Sequence, residues 1–562
     1  MDLSTGSADL ARVNALLGQY GDPAANVAYL LCDRHDPNSV AYRIVDSNLA
    51  VDVMTYGQLR QESEIFANAL RSLGVAQGDR VATLMGKSRD YLVTLLGIWR
   101  VGAVHVPLFT AFASPEIATR LKGSRAKVVV ADGVHVEKLT TLSADPGIRL
   151  AVVVAGEESY SAENEVGECY RFGDLMAKNV SGADAATVGG DAPLIQIYTS
   201  GTTGKPKGVV VPVRAIAGFH GYGEFGLGLR PTDIYWCAAD PGWAYGLYFG
   251  IICSLATGVS SVLLKGGFSA ANTLNLLSLC EVTNFTAAPT VYRSLLTSGV
   301  TPPPGLKLRC ASSAGEPLTP EVNQWAVKAL GVEVADHYGQ TEAGMLVNNH
   351  HHPDLKRPIK ERSMGIGMPG WKPVVIDQYE DVLVETGQVG RVALELSESP
   401  LAWFKGYFED PGKSAEKFAG NGRWYLTGDL GYVDSDGYIH FSSRADDVII
   451  MAGYRISPFE VESALLTHPD VAEAAVIAAP DKVRGEVLEA YVVLKGGIAA
   501  NPHLEEELKT WVKRTYAAHA YPRQVHLVQS LPKTPSGKIK RFVLRELRAA
   551  ELKALAETKS AA

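Results

Sequence analysis

Residues 80–85 read as an apolar strand, 91–101 as a helix and 104–108 as a second strand. A helix between two strands returns the chain to the same end of the sheet, so the strands lie parallel and need helices to cover them. The same alternation recurs at 151–154, 259–264, 285–287 and 309–312. Upstream, Thr55 and Gln58 have capping-box spacing, Leu59, Phe66, Ala69 and Leu70 give an apolar helical face, and Gly74 stands where a C-terminal cap belongs. With 562 residues, several cores are expected rather than one.

Two changes of pattern follow. Short strands at 374–377, 381–384 and 390–396 replace the helical period, which suggests a small β subdomain. Near Arg444 the pattern changes again: a strand at 448–451, a helix opened by Ser457, Pro458 and Glu460, and strands at 471–478 and 488–494 make a compact α+β unit. We place the boundary at 443–448. The stretch 542–558 reads as a terminal amphipathic helix.

Residues 241–264 carry no charge and invite a membrane span. Four glycines (Gly242, Gly246, Gly250, Gly258) and four hydroxyl residues (Ser254, Thr257, Ser260, Ser261) interrupt them, so a buried helix and strand fit better. The net charge of −8 gives no global positive field to draw in nucleic acid or an anionic membrane. None of the six cysteines forms a CxxC pair, which argues against a zinc site and a disulfide framework. The opening MDLSTGSADLARV has neither a basic nor an apolar leader region, and the protein is expected in the cytoplasm.

The strongest chemical signal is the stretch 198–210, YTSGTTGKPKGVV. Gly201, Gly204 and Gly208 let backbone amides come close to an anion, Thr199, Ser200, Thr202 and Thr203 offer hydroxyls, and Lys205 and Lys207 add charge. A nucleoside-triphosphate P-loop needs wider glycine spacing and a following helix. Here Pro206 follows the lysine and a strand comes next.

This loop resembles the signature of the adenylate-forming superfamily, which includes acyl- and aryl-CoA ligases. The other family segments follow in order: Gly315-Glu316-Pro317 beside adenine; Asp336-His337-Tyr338-Gly339-Gln340-Thr341-Glu342 with the stacking ring, the α-phosphate contact and the magnesium ligand; and Thr427-Gly428-Asp429 on the ribose. Residues 443–456, with Arg444, Asp446, Gly453 and Arg455, resemble the hinge motif, and 532–540 resembles the catalytic-lysine motif with Lys538. The resemblance implies an α/β protein. Its N-terminal adenylation domain, 1–443, would hold two α/β subdomains and a small β-barrel subdomain. A hinge at 444–447 turning about Asp446 and a small mobile α+β domain at 448–562 would follow.

The implied chemistry has two steps. A carboxylic acid and MgATP give acyl-AMP and pyrophosphate, and the thiol of coenzyme A then displaces AMP. Asp429 can accept from both ribose hydroxyls, Tyr338 can stack on adenine, and Thr341 can donate to the α-phosphate. Glu342 offers the hard oxygen that Mg²⁺ prefers, while Arg444 and Arg455 are permanent cations for ribose or phosphate. Lys538 would bridge the acid and the α-phosphate. Gly453 leaves room for pantetheine, and Lys513 or Arg514 suits a coenzyme A phosphate. In acetate-activating relatives a tryptophan closes the acyl pocket where this chain has Gly339, so open volume is expected there, walled by Trp243, Tyr245 and Ala314. A short- to medium-chain or branched acid follows. Delivery to a carrier protein, or an acetate, propionate or aryl substrate, is the alternative, and a homo-oligomer is compatible with either. His350, His351 and His352 read as a loop lining the site or solvent rather than a metal site, because adjacent residues do not converge on one ion.

Overall fold

The computed structural model describes residues 7–140, 150–156, 168–199, 206–316, 318–445, 447, 449–451, 454–481, 485–498, 502–517, 520–533 and 539–561. It divides into two compact units, residues 1–373 with 394–425, and residues 374–393 with 426–562.

In the first unit a seven-stranded sheet runs in the order Cys169–Arg171, Ala151–Ala155, Val128–Asp132, Arg80–Leu84, Val104–Pro107, Pro193–Thr199, Lys207–Pro212. Its neighbours are parallel except for the last pair, an antiparallel hairpin. The crossover helix Arg89–Val101 starts where Ser88 accepts the Tyr91 amide, and it is buried along nearly its whole length, as a helix covering a parallel sheet must be. The Tyr56–Ser72 helix carries the expected capping box from Thr55 and Gln58.

A second sheet of the same unit runs Ser363–Gly367, Gly344–Asn348, Val334–Gln340, Cys310–Ala314, Asn284–Ala287, Ile234–Cys237, Ser260–Leu264, Val40–Val45, Val51–Thr55. One of its cores gathers Trp236, Phe285, Tyr292, Leu276 and Val322 around the parallel strands. The uncharged stretch passes through Gly246–Ile252 and Cys253–Thr257, both helical, into the Ser260–Leu264 strand. No described helix is long and apolar enough to cross a membrane.

Toward the second unit, strands Pro373–Ile376, Gly390–Glu395, Trp424–Val433 and Ile439–Arg444 pair in that order. The expected strand at 381–384 does not form. Asp377 accepts the amides of Tyr379 and Glu380, which turns the chain, and only Leu383 bridges back to Ile376. Residues beyond 448 build a five-stranded sheet in the order Tyr454–Ile456, Ile449–Met451, Gly485–Leu494, Val471–Asp481, with Gln524–Leu527 on Gly485–Leu494. The Pro458–Leu466 helix is capped by Ser457, and the Arg541–Ala561 helix ends the chain.

Candidate active site

The parallel strands Ile234–Cys237, Asn284–Ala287, Cys310–Ala314 and Val334–Gln340 end on one edge of the second sheet. Open α/β sheets bind ligands outside the carboxyl ends of such strands. Here the chain leaving those ends carries Trp243, Tyr245, Gly315, Glu316 and the 336–342 segment. Ala314 is buried opposite His337 in the parallel register. Gly315 then turns with φ +103°, a conformation that favours glycine, and Glu316 is held by Arg293 at 2.7 Å.

Side chains alternate along 336–340. Asp336 accepts the Leu318 amide at 3.3 Å, and burial pushes its carboxyl up to about 7 despite the Leu318 and His337 amides. A carboxyl raised in this way holds its proton more tightly folded than unfolded. Its contribution is complete below pH ~4 and is lost as pH rises toward 7. Asp336→Asn should therefore match the parent in stability at low pH and gain on it up to neutrality, by at most roughly 4 kcal/mol. Chemical denaturation at several pH values checks this; a pH-independent difference would contradict it.

His337 is neutral because burial holds its pKa well below the usual range. Nε2 donates to the Asn349 carbonyl at 3.0 Å, so Nδ1 accepts from the Tyr222 hydroxyl at 2.7 Å. Tyr338 is half-buried, and Gln340 joins its hydroxyl, at 3.4 Å, to that of Tyr425, at 3.0 Å. Gly339 sits at a bulge in the hairpin with Gly344–Asn348. A Cβ there would stand 2.2 Å from the Gly344 carbonyl oxygen and 2.8 Å from the Met345 Cα. The open volume expected at Gly339 is thus filled by the neighbouring strand's backbone, which has to shift before any side chain fits.

Thr341 lies in the turn after this strand, where its carbonyl accepts from the Tyr248 hydroxyl at 3.1 Å. Glu342 is buried, and its Oε1 accepts the Tyr407 hydroxyl at 2.7 Å. Tyr407 also touches the hairpin that frames the glycine-rich loop. Its ring lies 5.1 Å from Lys207 Nζ, its backbone bridges Val209, and the next amide, Phe408, donates to Gly208 at 2.8 Å. Thr199 pairs directly with Lys207 at the mouth of that hairpin. Ser200, Gly201, Thr202, Thr203, Gly204, Lys205 and Pro317 lie outside the described residues.

Trp243 packs against Phe109 at 5.3 Å and Phe112 at 5.7 Å between ring centroids. The Tyr245 hydroxyl is 3.4 Å from that of Tyr222, so it connects to the His337 pair.

In the second unit Asp429 stands directly opposite Arg444 in the antiparallel ladder, and Arg444 Nη1 donates to its Oδ1 at 2.9 Å. Asp429 is buried, while Arg444 keeps 39% of its side chain exposed. Arg455 belongs to the Tyr454–Ile456 strand. Lys513 and Arg514 are exposed on the last turn of the Pro502–Thr515 helix, with Lys513 Nζ 3.9 Å from the Tyr521 ring centroid. Asp446, Gly453 and Lys538 lie outside the described residues, but the chain on either side of 534–538 is described. Lys533 bridges Ile539, and the Lys540 amide donates to the Pro532 carbonyl at 2.8 Å.

Of the two settings expected for the histidine run, the site side applies to His351, whose ring lies 6.1 Å from that of His337. His350 and His351 are held by the Phe225 and Ala311 carbonyls, and burial pulls both down to about 4; His350 is buried, while His351 and His352 are half-buried. Among the described residues no three His, Cys, Asp or Glu side chains cluster to hold a metal. A single buried carboxylate, Glu342, fits a magnesium carried mainly by phosphates and water.

The AMP-binding enzyme model matches residues 33–408, and the AMP-binding enzyme C-terminal domain model matches 460–538. The chain belongs to the AMP-binding enzyme family. It is 35% identical over 534 residues to the acetyl-coenzyme A synthetase of Bacillus subtilis, covering 92% of this chain and 90% of the relative. The human mitochondrial acyl-coenzyme A synthetase ACSM4 is 35% identical over 88% of this chain and 84% of its own. A crystal structure of the Brucella canis acyl-CoA synthetase superposes with a TM-score of 0.74 at 41% identity, covering 97% of this chain and 98% of that one.

Within the family frame, sequence reasoning missed Tyr407, Tyr425 and Tyr248, which orient Glu342, Gln340 and Thr341. No motif marks them, because each acts through one hydroxyl brought in from a distant element.

Proposed function

We propose that this chain is an AMP-forming acyl-CoA synthetase. A carboxylic acid and MgATP give acyl-AMP and pyrophosphate, and coenzyme A then takes the acyl group and releases AMP. The enzyme is an acid–thiol ligase with ATP, Mg²⁺ and coenzyme A as co-substrates, and it works by positioning and electrostatics without a covalent protein intermediate. The observation that carries this reading is the meeting of the glycine-rich hairpin and the Glu342 turn at Tyr407. It ties the strand that follows the glycine-rich stretch to a hard carboxylate within the first unit, which supports a phosphate and magnesium reading.

Thr199 to Lys205 and Thr341 bind the triphosphate, Glu342 holds magnesium, and Gly315 to Pro317 with 336–340 surround adenine. Asp429, oriented by Arg444, receives the ribose hydroxyls. Arg455 and Lys538 meet phosphate, Asp446 is the hinge, and Gly453, Lys513 and Arg514 serve coenzyme A. The acid is a short- to medium-chain or branched aliphatic one, enclosed by Trp243, Tyr245 and Ala314. An apolar pocket discriminates by only about 1–3 kcal/mol per methylene, so a range of acids is accepted. The cytoplasm is the proposed compartment, in keeping with six unpaired cysteines.

Purified protein offered acids of increasing length, straight, branched and aromatic, should release AMP only when acid and coenzyme A are both present. AMP release indifferent to coenzyme A would overturn the thioester step and favour a carrier protein as acceptor.

A further inference from the structure

We propose that Arg541 is a positioning residue for the adenylation step. Through Glu462 and Asp447 it fixes the start of the terminal helix, three residues after Lys538, to the residue that follows Asp446. The inference rests on the acyl-CoA synthetase reading, which gives Lys538 its task.

Arg541 opens the terminal helix three positions beyond Lys538. Its Nε and Nη2 donate to the two oxygens of Glu462 at 3.0 and 2.7 Å, and its Nη1 donates to Asp447 Oδ2 at 3.3 Å. One turn on, Arg545 Nη1 donates to the other oxygen of Asp447, also at 3.3 Å. Glu462 is itself anchored, because its Oε1 accepts the Val476 amide of the sheet at 2.8 Å. The side chains of Glu462 and Asp447 are only 7% and 13% exposed, so water competes weakly for either carboxylate.

The same helix is fastened again by Leu544, buried against Ala475, Ile477, Tyr491 and Leu531. On the upstream side, Lys533 bridges Ile539 and its Nζ lies 2.7 Å from Glu473. Only a guanidinium presents parallel donors to one carboxylate and a further donor to a second. Asp447 follows Asp446 in sequence and Arg541 follows Lys538 by three, so this fork ties the described chain next to one to the described chain next to the other.

A lysine that must meet two anions at once is sensitive to displacement of its base by an ångström or less. Loosening the fork should harm the step that uses Lys538 and spare the one that does not. A purely structural role would lower both steps together.

The test uses the full chain with Arg541→Gln, Arg541→Lys and Asp447→Asn. It measures acid-dependent ATP–pyrophosphate exchange and, separately, thioester formation from preformed acyl-adenylate. Arg541→Gln is expected to lose about 10- to 100-fold in exchange with thioester formation within about twofold of the parent. Arg541→Lys should recover only part of the loss, and Asp447→Asn, which keeps the Glu462 pair, should show a smaller loss in the same step. Equal losses in both steps, or undiminished exchange in Arg541→Gln and Asp447→Asn, overturn the positioning role. A parent protein without acid-dependent exchange overturns the underlying reading instead.

Discussion

Replacing Lys538 with alanine is expected to slow acyl-adenylate formation by roughly 10²- to 10³-fold while thioester formation from preformed acyl-adenylate stays within about threefold of the parent. The reason is electrostatic. A carboxylate attacking the α-phosphorus approaches an anion, and each like-charge pair at about 4 Å costs roughly 4 kcal/mol at an effective dielectric of about 20. A cation reaching both groups offsets most of that where charge is densest, in the transition state. Once the adenylate exists, that repulsion has gone and coenzyme A attacks a neutral carbonyl. Single-turnover measurements of each half-reaction check the asymmetry; a comparable fall in both would remove Lys538 from its assigned role.

The second large effect is expected at Glu342. Glu342→Gln keeps the shape but removes the charge a hard cation needs, and kcat/KM for MgATP should fall about 10²-fold. Tyr407→Phe isolates the orienting contact. A hydrogen bond to a charged group contributes about 1.5–3 kcal/mol, so this variant should lose roughly 10- to 100-fold, with a raised magnesium requirement. The two changes act on one contact, and the double variant should be little worse than Glu342→Gln alone. Steady-state kinetics over a magnesium series separates these outcomes, and additive losses would mean that Tyr407 acts elsewhere.

Most of the chain's secondary structure was readable because its signals are local. The Thr55–Gln58 box, the Ser457 cap and the strand–helix–strand run from Arg80 to Pro107 depend on neighbours within a few residues. The segment 381–384 misled for the same reason: its apolar residues look like a strand, but the turn set by Asp377 leaves them one bridge. The site was readable only as motifs. Resemblance to a family's motifs named the candidate residues, but nothing in the sequence showed what holds them. Gly339 looked like vacated space, although the demand comes from a facing strand whose backbone no local pattern reveals. His350 and His351 read as a loop at the site or solvent, and no local pattern showed that carbonyls from Phe225 and Ala311, far away in the chain, accept their protons.

The bridge from Val209 to Tyr407 bears on how the molecule is made. On a ribosome the glycine-rich turn emerges long before the tyrosine that secures its closing strand and aims Glu342. Closing so long an intervening span is entropically costly, so this corner cannot mature until the chain through Tyr407 has been synthesised. A nascent chain cut short upstream of that tyrosine would carry the recognisable nucleotide signature without its support.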